Sequence, residues 1–147
     1  MHHFLVRAIS CTAIQTVTAT IPQVFALLTD PARIPSWLPA CQRVKGPSPL
    51  KKGDWFRVQF GERQTVFEVV DLTPPVTFGW VEQGHRQGWK TLFRLDATGG
   101  ATAVTLRLVW VPRSFAAWVR GRLLDKRNAR RQLSVILQNL QRALTGS

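Results

Sequence analysis

Apolar residues recur at every second position along much of the chain as far as Val111, and at helical spacing from about Ser114 onward. A first strand is expected over Ile9 to Thr18, with imperfect alternation because Ile14 and Val17 fall on opposite phases. The segment Thr20 to Trp37 then reads as two short helices. Thr20 and Gln23 have the spacing of a capping box, and Pro22 falls in the first turn, where its missing N–H costs nothing. Val24, Phe25, Leu27 and Leu28 give that helix one apolar face. Asp30-Pro31 restarts a helix and Pro35 cuts it short.

Cys41 to Lys45 predicts a brief strand closed by Gly46-Pro47-Ser48-Pro49. Longer strands follow, separated by turn signals at hairpin spacing. Asp54 to Phe60 puts Phe56, Val58 and Phe60 on one face, and Gly61-Glu62 turns into Arg63–Leu72, which ends at Thr73-Pro74-Pro75. Val76, Phe78 and Trp80 share a face in the next strand, which stops near Gly84; Trp89, Thr91, Phe93 and Leu95 share one in the strand after it. Thr98-Gly99-Gly100 then turns into Ala101–Val111, where Val104, Leu106, Leu108 and Trp110 align. Such alternation predicts an antiparallel meander with one wet face and one dry face.

The period becomes helical from about Ser114 to Leu144, which predicts a rod of roughly 45 Å, long enough to cross a curved sheet. Gly121 is a candidate kink and Gly146 a candidate C-terminal stop. On a uniform helix Phe115, Val119, Leu123, Leu133, Leu137, Leu140 and Leu144 fall on one side, and Arg122, Lys126 and Arg130 fall with them. Bare charge against a dry core is costly. These cations therefore either meet an acidic ligand group, swing outward at a kink, or snorkel to the edge.

Composition narrows the class. With 147 residues, 45% of them hydrophobic, the chain suits one globular domain over 1–147, and no apolar run approaches the ~18 residues of a membrane span. Arg7 interrupts the apolar patch Phe4-Leu5-Val6, so a signal peptide is not expected. Cys11 and Cys41 are too few and too far apart for a metal or redox motif, and reduced thiols fit a cytoplasmic location. Twenty Lys and Arg against eight Asp and Glu give a net charge of +12, which suits anionic partners unless the excess is merely scattered. Arg120, Arg127, Arg131 and Arg142 line the outer side of the last helix without a carboxylate at four-residue spacing, a row suited to RNA or to lipid headgroups.

Catalytic chemistry is sparse. His85, in the loop Glu82–Gly88, is the one histidine away from the terminal His2-His3, and tyrosine is absent. Leaning over a cavity, His85 would serve as a base near neutral pH, whereas a solvated turn residue is its ordinary role. Glu68 and Glu82 are the candidate strand carboxylates, and which of them points inward depends on register. No triad, metal cluster or phosphate loop is visible, and nothing calls for a cofactor. The inward rings Phe56, Phe60, Phe67, Phe78, Trp80, Trp89, Phe93 and Trp110 make either a very bulky core or the lining of an apolar ligand site.

The order strand, two helices, six strands and a long helix resembles the START-like superfamily, also called the polyketide cyclase/dehydrase and lipid-transport (SRPBCC) family. The resemblance covers essentially the whole chain. It is carried by Val24–Asp30, Trp37-Leu38-Pro39, Gly53, Val70–Pro75, Thr102–Leu108 and Leu133–Leu144. It implies an α+β helix-grip fold, in which a curved antiparallel sheet wraps around a long C-terminal helix. It implies further a cavity between them for a lipid, polyketide or quinone-like molecule. The eight rings, with Arg122, Lys126 and Arg130, are then the expected ligand contacts. A cyclase/dehydratase enzyme and a basic module contacting RNA, ribosome or anionic membrane are the competing readings, since a shared fold does not select a function.

Overall fold

The computed structural model, which describes residues 7–84, 86–120 and 125–146, turns the alternating segments into seven strands. They are β1 (Ile9–Val17), β2 (Arg43–Lys45), β3 (Trp55–Phe60), β4 (Arg63–Thr73), β5 (Thr77–Gln83), β6 (Lys90–Thr98) and β7 (Ala101–Trp110). All pair antiparallel in one curved sheet of order β1-β7-β6-β5-β4-β3-β2. The meander β2–β7 is built from local hairpins, and β1 closes it at the far margin against β7. The chain crosses from one margin to the other through α1 (Ile21–Thr29) and a 3-10 helix (Pro31–Ser36).

The first of these helices starts where its cap predicts. The Thr20 N–H donates to Gln23 Oε1 at 2.9 Å, and the Gln23 N–H donates back to Thr20 Oγ1 at 3.4 Å. Asp30 caps the 3-10 turn by accepting from the Ala32 N–H at 3.1 Å. Trp37, fully buried just beyond it, donates its indole N–H to the Leu27 carbonyl at 3.3 Å and locks the two helices together.

Along each strand one face goes inward. Phe56 and Val58 of β3, Phe67 and Val69 of β4, Phe78 and Trp80 of β5, Phe93 and Leu95 of β6 and Val104 to Trp110 of β7 are buried at alternate positions. A β-bulge between Val69 and Asp71 shifts the register of β4 against β5. In β1 the uneven alternation resolves cleanly: Cys11 and Val17 are buried and Ile14 is exposed. Val76 precedes β5 and lies at the surface rather than on its buried face. Cys41 lies ahead of β2 rather than within it.

The concave face is covered by α3 (Lys126–Thr145), which packs against β1 and β7. Twenty residues make it about 30 Å long. Its buried stripe is Ala129, Leu133, Ile136, Leu137 and Leu140, and Gly146 ends it in the left-handed conformation with φ 72°. Polar links fix its orientation. Asn139 Nδ2 donates to the Trp37 carbonyl at 3.1 Å, and Gln141 exchanges two hydrogen bonds with Thr18.

Of the expected single rod the described residues show two helical pieces, α3 and, before it, the short α2 (Phe115–Arg120), which has no buried residue. Phe115 is exposed and does not join the stripe, while Val119 and Leu144 are only half-buried. Gly121, Arg122 and Leu123, on which part of that expectation rested, lie outside the described residues.

Candidate functional site

Between sheet and α3 the interior is not solid. A cavity of about 260 Å³ opens where the ends of β3–β6, the loop after the 3-10 helix and α3 come together. Phe60, Phe67, Trp80 and Leu108 line it from the sheet; Leu38, Pro39 and Ala40 line it from the loop; Leu133 and Ile136 close it from α3. Among the described residues, the polar groups at this apolar chamber are Arg63, Glu82, Arg86, Thr91 and Gln132.

The eight inward rings divide into two groups. Phe60, Phe67, Trp80 and Trp89 touch the cavity, whereas Phe56, Phe78, Phe93 and Trp110 are buried and do not line it. Phe56, Phe78 and Phe93 pack with Trp37, Phe67 and Trp80 into one cluster, with centroid separations such as 5.3 Å for Phe56–Phe67 and 5.6 Å for Trp37–Phe93. Trp80 belongs to both groups, as cluster hub and cavity wall. Trp110 backs Trp89 in a parallel stack at 4.6 Å.

Among the described residues, the cations at the chamber do not come from α3. Arg130 is exposed, because it stands about 75° from the centre of the buried stripe of α3 at 100° per residue. Lys126 is half-buried against Arg7, Ser10 and Trp118, away from the chamber. Arg122 lies outside the described residues, as does His85. Instead, Arg63 and Arg86 reach the mouth from two hairpin ends. Each guanidinium lies over a ring: Arg63 5.2 Å from the centroid of Phe60, and Arg86 4.7 Å from that of Trp89. Cation–π stacking of this kind holds a charged group in place while leaving its N–H edge available.

Glu82 is the buried carboxylate of the site. It follows Phe78 and Trp80 on the inward face of β5 and is paired across to Phe67. Its Oε2 accepts from Thr65 Oγ1 at 3.2 Å and from the Arg86 N–H at 2.9 Å, so two donors orient it. The β5–β6 loop is folded around this residue, since the Glu82 N–H donates to the Trp89 carbonyl and the Gly88 N–H donates to the Glu82 carbonyl. Glu68 takes the opposite phase from Phe67 and turns to the convex face, where it accepts from Gln83 Nε2 at 3.3 Å. Among the described residues no three His, Cys, Asp or Glu side chains group as a metal site would need.

Arg63 and Arg86 escape sequence reading because hairpin ends look solvated in any linear pattern. The signal that pointed their way is Glu82, an ionisable residue at an inward position of an otherwise apolar strand.

Burial raises the Cys41 thiol from 9.0 to about 11, partly opposed by hydrogen bonding with the Arg43 backbone. Cys11 is buried in β1, and both thiols are free. No described helix is long and apolar enough to cross a membrane.

The arrangement has many structural counterparts. The Aha1 protein of Colwellia psychrerythraea, solved as a dimer, superposes with a TM-score of 0.71 at 17% identity, over 92% of this chain and 96% of that one. Protein NE0264 of Nitrosomonas europaea gives 0.75 at 14% identity, covering 93% and 94%. The di-domain aromatase/cyclase StfQ of the steffimycin biosynthetic pathway gives 0.70 at 14%, covering 93% of this chain and 49% of that one. At such identities these likenesses establish the α+β helix-grip fold. No match to a protein of curated function was found. The sequence pattern of one family spans residues 8–145, nearly the whole chain, and on that ground the chain belongs to the polyketide cyclase/dehydrase and lipid transport family.

Proposed function

We propose that the chain binds a small amphipathic molecule in the chamber under α3, with its apolar body against Phe67, Trp80, Trp89 and Leu108 and its polar end toward Arg63 and Arg86. The observation that carries this reading is an apolar chamber whose mouth holds two ring-stacked arginines. Apolar walls with a few convergent polar groups are the usual make-up of a ligand site. Size narrows the choice. A volume of about 260 Å³ lies just under the ~300 Å³ at which ligand pockets commonly begin. That favours a one- or two-ring body, or part of one acyl chain, over a bulky two-tailed lipid.

The experiment is organic extraction of gently purified protein followed by mass spectrometry. A reproducible amphipathic compound of that size, displaced by the anionic fluorophore anilinonaphthalene sulfonate, supports the reading. Protein that extracts empty and leaves the fluorophore dark overturns it.

One observation favours a second reading, the cyclase/dehydratase enzyme of the family description: Glu82 is a buried, oriented carboxylate at the wall of the chamber. In that role it would take or give a proton at a substrate carbon or hydroxyl. Glu82→Gln then abolishes turnover of a poly-β-ketone substrate and leaves fluorophore binding intact. A pure carrier shows no turnover with either residue.

A further inference from the structure

A second surface of the molecule has a composition that the chamber does not account for. Helix α2 is apolar at five of its six positions, Phe-Ala-Ala-Trp-Val-Arg, yet none of them is buried. Phe115 is 57% exposed, and Val111, just before it, is 62% exposed. Phe115 stacks at 6.0 Å and 18° on Trp118, which is half-buried and packs against the core.

Along the sequence on either side of this apolar patch the charge is almost wholly of one sign. From Ala97 to the C-terminus the sequence holds nine Lys and Arg and a single carboxylate, Asp125, which places +8 of the net +12 in the last third of the chain. Arg113, Arg120, Arg127, Arg130 and Arg131 are exposed, and among the described residues none lies within 4 Å of a carboxylate.

We propose that α2 and the arginines that flank it are a docking face for a bilayer containing anionic phospholipid. Each half of the pattern matches one half of a membrane surface. Exposed rings and aliphatic groups enter the headgroup–acyl boundary, and basic side chains neutralise lipid phosphates and carboxylates. No described helix is long and apolar enough to cross a membrane, so α2 is proposed to lie on the bilayer. A nucleic acid is the weaker partner for this face. It uses cations and rings, but it gains nothing from exposed Val111 and Ala116. None of the residues invoked lines the chamber, so the proposal stands apart from the ligand reading.

The test is flotation of the full chain with vesicles of phosphatidylcholine alone, and with vesicles in which phosphatidylserine is about a third of the lipid. The chain is expected to float with the second only, and to be released as salt rises from about 0.05 to about 0.5 M. The R127Q/R131Q double variant should weaken partitioning about fivefold per arginine removed, and Phe115→Ser should weaken it at least tenfold. Both variants change exposed residues, so thermal midpoint and fluorophore binding in the chamber should stay at the wild-type level. Equal recovery from both vesicle types overturns the proposal. So does a result in which F115S floats like wild type while R127Q/R131Q loses retention on single-stranded RNA, which would identify a nucleic-acid face instead.

Discussion

Trp80 and Trp89 both touch the chamber, but they answer to substitution in opposite ways. Trp80 is 3% exposed, and its ring lies between 5.3 and 6.1 Å from those of Trp37, Phe56, Phe67, Phe78 and Phe93. Trp80→Ala leaves a hole in the middle of that cluster, at a cost of about 4 kcal/mol. Domains of this size lose about 2–4 °C per kcal/mol, so the midpoint should fall by roughly 8–16 °C. Trp89 is half-buried and gives up its stack on Trp110 and the guanidinium of Arg86. Together these contacts are worth about 1–2 kcal/mol. Trp89 also lines the chamber, so Trp89→Ala should weaken anilinonaphthalene sulfonate binding about tenfold, or ~1.4 kcal/mol. Urea denaturation and a fluorophore titration on both variants read the two quantities separately. Trp89→Ala that loses as much stability as Trp80→Ala and binds the fluorophore normally would refute the division of the rings made above.

Three further outcomes are expected. Thr20→Ala removes one arm of the capping box and should cost about 1 kcal/mol in urea denaturation, with Gln23→Ala costing no more than that. Gly46→Ala has no room, because a Cβ there would sit 2.8 Å from Phe56 Cβ; the variant should lose about 1–3 kcal/mol, and unchanged stability would mean that the Gly46 loop yields freely. Cys41, whose thiol is pushed up to about 11, should alkylate with iodoacetamide slowly at pH 8 and steadily faster up to pH 11. The folded state holds that proton above the ordinary 9.0, so stability from this group is complete below pH 9 and declines from there to about 11.

The strands were legible because burial on a sheet repeats every two residues, and Phe56/Val58 or Phe78/Trp80 announce their face without any tertiary information. Likewise the Thr20–Gln23 cap is a local device and reads directly from spacing. Arg130 was misleading for a local reason: it neighbours Leu133 and Leu137 on the helical wheel, yet the buried stripe of α3 centres near Leu133 and Leu140 and leaves Arg130 at its margin. Glu82 continues the two-residue phase of Phe78 and Trp80 and opposes Phe67, whereas Glu68 falls out of phase with Phe67 and opposes Val81. Arg63 and Arg86 converge only after the sheet curves, and no linear spacing encodes that meeting.

Strand β2 has a consequence for how the molecule behaves in a crowded solution. It forms one open margin of the sheet, spans only Arg43–Lys45, and sets Lys45 directly across from Arg57. A neighbouring copy trying to extend the sheet there would find three residues of free backbone and would have to press its own cations against these. Repulsion of this kind guards against strand-by-strand polymerisation. Replacing Arg43 and Lys45 with valine should therefore show up first as time-dependent light scattering rather than as a lower melting point.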